Sequence, residues 1–238
     1  MAAKCVRVLL LCVLGLVSGA AEEETGLSES IQPRAEGAWW LYRSVVHEDG
    51  KAVSSGRSHE KVVEVIEIEG VKCHRVEQGW DYRTVVQRLA GLAGEETGAT
   101  YFWEYWDGDG SHHYGEDEDD PKPPASLEDF SLTLKYPAGK GERYVDDDVI
   151  YRILETERKL SVKAGEFTCV VYEMYTEDKD DPEYSTRELL FMAPGVGLVR
   201  WEMYYRDEGG QWTLDASDDL QSYRLEKEEP AAGKEEGR

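Results

Sequence analysis

The sequence predicts a mainly β protein with a single antiparallel, strongly curved, half-barrel-like sheet and little helix. Segments rich in Val, Ile, Thr and aromatic residues recur along the chain, separated by Gly, Pro and Asp. No segment keeps a 3.6-residue apolar period for three turns, and the absence of long crossover helices disfavours a parallel α/β sheet. Aromatic residues on both faces of some strands indicate a sheet that is covered on both sides or curved around a cavity.

Twelve segments carry this strand signal, and they justify the sheet in order. One short helical turn is predicted after Ser126, whose side chain can cap it. The predicted strands are 38–46, 61–69, 71–77, 81–89, 100–107, 132–137, 148–162, 167–176, 187–193, 198–206, 211–215 and 220–226.

The N-terminus has the layout of a secretory signal peptide, which we predict over 1–21. Lys4 and Arg7 precede the apolar run 8–17, and small residues over 18–21 come before three glutamates. The apolar run is well short of the roughly 20 residues that a membrane-spanning helix requires. We therefore expect the mature chain to be exported, to the periplasm or the cell exterior, with no transmembrane span.

Composition divides the rest of the chain into one folded unit with a polar segment at each end. Residues 22–36 are acidic and contain serine, so we expect a flexible leader, and 227–238 reads as a disordered acidic tail. The part between them, 37–226, has the length of one all-β domain. The net charge of −23 repels nucleic acid and anionic membranes, and no basic stripe is present to bind nucleic acid.

The stretch from Phe191 to Met203 contains glycines that superficially resemble a nucleotide-binding loop. Such loops hold phosphate because a helix N-terminus follows them, whereas a strand follows here. Segment 193–196, Ala-Pro-Gly-Val, instead fits a type II turn between two strands of a hairpin. In the second strand strict alternation predicts that Val199, Trp201, Met203 and Tyr205 share one buried face.

Aromatic residues of two predicted strands are the candidates for binding an apolar ligand. In the strand 100–107, Trp103 and Tyr105 point to one face and Trp106 to the other. Trp201 lies on the buried face of the strand 198–206. An ordinary core with a few exposed aromatics is the alternative interpretation.

A metal site is weakly indicated in the loop that follows the strand 100–107. Asp107, Asp109, His112 and His113 offer oxygen and imidazole ligands. Adjacent histidines on a strand point to opposite faces, however, and the acidic spacing of an EF-hand is missing. Asp-Gly-Asp-Gly is also good chemistry for a hairpin turn.

Two cysteines, Cys73 and Cys169, remain after removal of the predicted signal peptide. In an exported protein they either form one disulfide or are two small buried apolar residues. The sequence contains no nucleophile elbow, zinc-protease helix or Cys–His signature, so no catalytic residue and no cofactor is predicted. Carboxylates are so abundant that no pair is favoured for glycoside hydrolysis.

Two motifs carry a family resemblance that covers most of the mature chain. Residues 160–169, LSVKAGEFTC, and 193–199, APGVGLV, together with a final L-x-S-Y at 220–223, resemble a family of uncharacterised exported bacterial proteins. The resemblance implies a curved-sheet fold similar to the LolA/LolB kind of periplasmic lipoprotein carrier, whose concave side accepts apolar ligands. It implies no catalytic residues.

Three functions are therefore compatible with the sequence. The first is a non-enzymatic exported protein that binds an apolar ligand or an envelope component on the concave face of its sheet. The second is a structural or protein-interaction module of the cell envelope or exterior. The third is a hydrolase with an unrecognised carboxylate site.

Overall fold

Twelve antiparallel strands form one continuous sheet. The computed structural model describes residues 31–32, 34–81, 97–115, 121–146, 149–176, 185–206 and 209–225. The predicted signal peptide, residues 22–30 of the predicted leader, almost all of the predicted strand 81–89 and the predicted tail lie outside these residues. The strands are β1 (Trp39–Glu48), β2 (Lys51–Ile68), β3 (Val71–Asp81), β4 (Thr97–Trp106), β5 (Gly110–Tyr114), β6 (Ser131–Lys135), β7 (Arg143–Asp146), β8 (Val149–Val162), β9 (Gly165–Thr176), β10 (Thr186–Ala193), β11 (Gly197–Arg206) and β12 (Trp212–Arg224).

The strand order is β6-β5-β4-β3-β2-β1-β12-β11-β10-β9-β8-β7. All neighbouring strands are antiparallel. They are also consecutive in sequence, except for β1 and β12, which pair at the centre of the sheet. The two edge strands, β6 and β7, are therefore also consecutive in sequence. Because strands twist, a sheet this wide curls. The result is a strongly curved, nearly closed, barrel-shaped sheet, which confirms the predicted fold class.

Tyrosine side chains join the two edges of the sheet. The Tyr144 hydroxyl accepts a hydrogen bond from the Lys135 backbone N–H and donates one to the Thr133 carbonyl, each at 3.1 Å. The Tyr172 hydroxyl donates to the Lys135 carbonyl at 2.8 Å. Within the described residues no backbone ladder links β6 to β7. These phenol groups thus close the seam between the edges.

Several strand boundaries differ from the predicted ones for a common reason. β2 begins ten residues before the predicted start at Lys61, since the polar stretch 51–60 pairs with β1. The predicted strands 211–215 and 220–226 are parts of the single strand β12. β5 and β7 lie outside the twelve predicted strands. In each case polar residues mask the alternation that identifies a strand.

The outer face of β3 and β4 is covered by the segment that precedes β6. Ser126 caps the 3-10 turn Leu127–Asp129 as predicted: its hydroxyl accepts from the Glu128 N–H at 3.2 Å, and the Asp129 carboxylate accepts from the Ser126 N–H. Phe130 then packs edge-on against Tyr105, with ring centroids 4.8 Å apart. This arrangement completes an outer apolar cluster of Ile68, Cys73, Trp103, Tyr105 and Phe130.

The turn between β10 and β11 has the predicted form. Gly195 has a φ of +78°, and the Val196 N–H donates to the Ala193 carbonyl at 3.0 Å. Val199 is completely buried and lies at a bulge in the pairing of the two strands. Tyr205, near the end of β11, is 38% exposed, so the prediction that it is buried is wrong.

Candidate functional site

The concave face of the sheet encloses a cavity of about 580 Å³. This volume falls within the range of roughly 300–1,000 Å³ that is usual for small-molecule sites. Gln78, on the wall of the cavity, is exposed, so the cavity is accessible from solvent. This cavity on the inner face is the candidate site.

The two halves of the sheet contribute walls of opposite polarity to the cavity. The half formed by β1–β6 contributes mainly polar side chains: Ser58, Glu60, Gln78, Glu104, Ser111 and His113. The half formed by β7–β12 contributes mainly apolar ones: Tyr151, Met174, Leu190, Met192, Leu198 and Trp201. We call these the polar wall and the apolar wall. An amphiphilic cavity results, with one side suited to hydrogen bonds and the other to hydrocarbon.

The segment that precedes β1 enters the cavity and becomes part of the polar wall. Ile31 and Gln32 are almost completely buried, and the Arg34 side chain is 2% exposed. Gln32 Nε2 donates to Glu60 Oε2 at 3.0 Å. These residues belong to the last part of the predicted leader, 22–36, and their polar composition gave no indication of burial.

The APGVG turn holds this segment in place. A Cβ atom on Gly197 would lie 2.5 Å from Gln32 Cγ, so only glycine permits the close approach. Gly197 also has a φ of +103°, which disfavours any other residue. The indole N–H of Trp40 donates to the Val196 carbonyl at 2.7 Å. The glycines of the motif are therefore required for the close approach of Gln32 and for the positive φ angles of the turn.

A buried ion cluster stands at the centre of the polar wall. Arg34 forms a bidentate pair with Glu104, with both N–O distances 3.0 Å, and a second pair with Glu60 at 3.2 Å. His113 Nε2 lies 3.2 Å from Glu104, and the Trp106 indole N–H also donates to Glu104. The Glu104 side chain is only 1% exposed. Such charge-assisted bidentate contacts fix the arginine in one orientation.

Burial and pairing have opposite effects on the protonation of this cluster. Burial alone would raise the pKa of Glu104, but Arg34 and His113 hold that pKa well below its usual range. Burial alone would lower the pKa of Arg34, and the two glutamates raise it above its ordinary value. Both groups are thus charged at neutral pH despite their burial.

A second carboxyl group in the cavity has a different environment. Asp218 on β12 accepts a hydrogen bond from the Ser58 hydroxyl at 2.9 Å, and none of the described cationic side chains pairs with it. Burial raises its pKa, and hydrogen bonds from Ser44 and Ser58 offset part of that increase. Glu188, on the apolar wall, accepts from the Trp201 indole N–H at 2.6 Å. The cavity therefore has an excess of acidic groups over Arg34.

The structure separates the four aromatic residues that the sequence singled out for ligand binding. Trp106 and Trp201 line the cavity. Trp103 and Tyr105 lie on the outer face of β4, where the segment before β6 covers them, and the Trp103 indole donates to the Pro121 carbonyl at 3.1 Å. This separation follows from the two-residue period of a strand.

The four weak metal candidates also fall into two groups. His112 Nε2 lies 3.1 Å from Asp107, and the Asp107 carboxylate accepts from the backbone N–H groups of Asp109 and Gly110 in the β4–β5 turn. His113 points into the cavity toward Glu104. In the part of the chain that the structure describes, no group of three or more His, Cys, Asp or Glu side chains is arranged to hold a metal ion.

Cys73 and Cys169 are both buried, and both thiols are free. They belong to different clusters: Cys73 lies beside Trp103 on the outer face, and Cys169 packs with Val171, Phe191 and other residues near the APGVG turn. Burial raises the pKa of each thiol to about 11, which makes both poor nucleophiles. They occupy the positions of small buried apolar residues, which was the second of the two interpretations.

Comparisons with known proteins show the fold of this chain. No protein-family model and no curated protein sequence matches the chain. Among solved structures, it is similar to a "putative lipoprotein" from Parabacteroides distasonis, with 15% identity, a TM-score of 0.52 and coverage of 82% of this chain and 99% of that one. It is also similar to a "putative exported protein with YmcC-like fold" from Bacteroides fragilis, with 16% identity, a TM-score of 0.50 and coverage of 82% and 98%.

These similarities agree with the coarse part of the resemblance inferred from the motifs, since both neighbours are described as a lipoprotein or an exported protein. The Bacteroides fragilis protein is the one described as having a YmcC-like fold. A helix long and apolar enough to cross a membrane is absent from the described residues.

Proposed function

We propose that this chain is an exported, non-enzymatic binding protein that holds the apolar part of a ligand in the cavity. The observation that carries this proposal is the apolar wall, whose six large side chains line the cavity on the inside of the sheet. Burial of hydrocarbon against such a wall contributes roughly 25 cal/mol for each Å² removed from water. The predicted signal peptide and the descriptions of the two similar structures support the exported location.

The distribution of apolar surface favours a small molecule over an envelope protein as the partner. Across the described residues, the large hydrophobic side chains that are exposed are Val53, Val145 and Tyr205, on β2, β7 and β11. A protein-binding surface usually has a contiguous apolar patch of several hundred Å². The cavity, by contrast, brings several half-buried apolar side chains together, among them Leu190, Leu198 and Trp201.

Binding of a naphthylamine dye that fluoresces in apolar surroundings tests the proposal. The wild-type protein should enhance the fluorescence saturably, and apolar competitors should displace the dye. Leu190→Trp, which extends a side chain of the apolar wall into the cavity, should weaken dye binding about tenfold or more. Val53→Trp adds the same side chain at an exposed position of β2 and should leave binding unchanged. Equal binding by the two variants, or none by the wild type, would refute the proposal.

A further inference from the structure

Two polar groups on the wall of the cavity have no partner within the protein. Arg34 Nη1 is buried and makes no hydrogen bond, although Nε and Nη2 of the same guanidinium are fully engaged by Glu60 and Glu104. Ser111 Oγ is likewise buried without a partner, on a residue with no exposed surface. Both residues line the cavity. Buried polar atoms in folded proteins almost always have a partner, so these two groups are the ones that a ligand in the cavity would satisfy.

Ser111 lies at the border between the polar and apolar parts of the cavity. It is two residues from His113 on the same face of β5, and its neighbours across the ladder are Trp106 on β4 and Leu134 on β6. Leu134 packs in the same cluster as Tyr151, which belongs to the apolar wall on the other side of the seam. A ligand whose head group reaches Ser111 and Arg34 can therefore place its hydrocarbon against the apolar wall.

The charges around these groups select the chemistry of the head group. Arg34 is a donor only, so the group that meets Nη1 has to be an acceptor. Its positive charge is already matched by two carboxylates at 3.0 and 3.2 Å, and Glu188 and Asp218 line the same cavity. An anionic head would add negative charge to this acidic enclosure, and a cationic head could not accept from Arg34. An uncharged oxygen, such as an ester carbonyl or a hydroxyl group, meets both conditions.

We propose that the cavity binds an uncharged amphiphile, with Arg34 Nη1 and Ser111 Oγ holding the ester or hydroxyl oxygens of its head group and the apolar wall holding its chain. This inference rests on the proposed function and narrows it from an apolar ligand to a neutral lipid-like one. Neither group is catalytic, because no reacting atom is involved.

Three ligands with the same hydrocarbon chain test the inference by calorimetric titration at neutral pH: glycerol monolaurate, laurate and dodecylamine. The uncharged ester should bind about tenfold more tightly than either charged ligand, because the ammonium of dodecylamine cannot accept from Arg34 Nη1 and the carboxylate of laurate adds negative charge to an acidic cavity. Ser111→Ala should weaken binding of glycerol monolaurate about tenfold and leave the other two unchanged.

Ser111→Ala is a clean variant because the hydroxyl makes no hydrogen bond inside the protein, so the melting temperature should not fall. Ser54→Ala is the matched control: its hydroxyl is also buried and unpartnered but does not line the cavity, and this variant should bind all three ligands like the wild type. Tighter binding of laurate or dodecylamine, or equal binding of all three, would overturn the inference while leaving the proposed function intact. If none of the three ligands and no dye binds the wild type, both proposals fall.

Discussion

The two halves of the sheet differ in the polarity of their inner and outer faces. In β1–β6 the cavity lining is mainly polar and contains the Arg34 ion cluster, whereas the outer face of β3 and β4 carries an apolar cluster covered by the segment before β6. In β7–β12 the inner face is apolar, and the outer face carries ion pairs such as Glu173 with Arg152 and Arg187. The cavity is amphiphilic because these inverted halves face each other. We therefore expect the stability of the first half to depend on paired charges and that of the second on burial.

The largest effect should come from removing the cation of the polar wall. Arg34→Met removes the cation shared by the buried carboxylates of Glu60 and Glu104 and leaves only His113 beside Glu104, which should lower the free energy of unfolding by about 3–5 kcal/mol in urea titrations. Arg158→Met is the control, since the pair with Glu155 is about half exposed and should contribute at most about 1 kcal/mol. A comparable loss in both variants would show that the polar wall does not depend on its ion cluster.

The same cluster should make the protein sensitive to acid. The pKa of Glu104 is lowered in the folded state, so its contribution is fully present above the ordinary pKa of a glutamate and is lost as the pH falls through the lowered value. The triple variant Arg34→Met/Glu60→Gln/Glu104→Gln removes the charges together. It should recover most of the stability lost by Arg34→Met and show a flatter dependence of unfolding free energy on pH.

The next largest effect concerns the contact between the two halves at the APGVG turn. Gly197→Ala should lower the unfolding free energy by about 3 kcal/mol, since backbone strain and overpacking against Gln32 each contribute roughly 1–3 kcal/mol. Gly210→Ala also has a positive φ, +75°, but no atom lies within 4 Å of the added Cβ, so about 1 kcal/mol is expected. Equal losses would mean that the approach of Gln32 has no energetic role.

A smaller effect is expected at the seam. Tyr144→Phe removes both hydrogen bonds between β7 and β6 and should lower stability by about 1 kcal/mol. The amide of Lys135 should also exchange with solvent faster, as measured by hydrogen exchange. Tyr204→Phe, whose hydroxyl donates to Glu202 within one strand, should leave that exchange rate unchanged. An unaltered Lys135 amide in Tyr144→Phe would mean that the tyrosines do not hold the edges together.

The smallest effect, and the one of opposite sign, should come from Asp218→Asn. Burial raises the pKa of Asp218 in the folded state, so its unfavourable contribution is present above that pKa and disappears as the pH falls through it. The substitution should raise the urea midpoint at neutral pH, with a smaller gain in mild acid. Asp219→Asn is the matched control: the neighbouring carboxylate accepts from Arg200 at 2.6 Å on the outer face, and its loss should be destabilising. Stabilisation by both variants would point to overall charge reduction instead.

The difference between the halves also explains which parts of the structure the sequence could predict. The strands over 148–162, 167–176, 187–193 and 198–206 were found nearly to the residue because their inner faces are apolar and alternate. The first ten residues of β2 were not predicted as strand, because polar residues such as Ser58 and Glu60 point inward there. Alternation of hydrophobicity marks a strand only where burial is apolar.

The site was predictable to the same uneven extent. Trp106 and Trp201 line the cavity, and aromatic residues on both strand faces were the signal that indicated it. Arg34 was hidden in a polar segment that resembles a flexible leader, and its burial depends on carboxylates that are distant in sequence. One local signal existed: Glu104 lies between Phe102 and Trp106 on the same face of a strongly aromatic strand, where a charge needs a buried partner.

The pairing of β1 with β12 has a consequence for how the molecule is made. This central ladder joins residues 39–46 to residues 216–224, so it forms only after a long loop has closed. Contacts between such distant segments slow folding, because the entropy of loop closure is lost before the contacts stabilise the chain. On a chain synthesised from its N-terminus, β1–β6 are available early, but β1 gains its second neighbour only when β12 is present. The cavity therefore forms late in folding, when the last strand has joined the first.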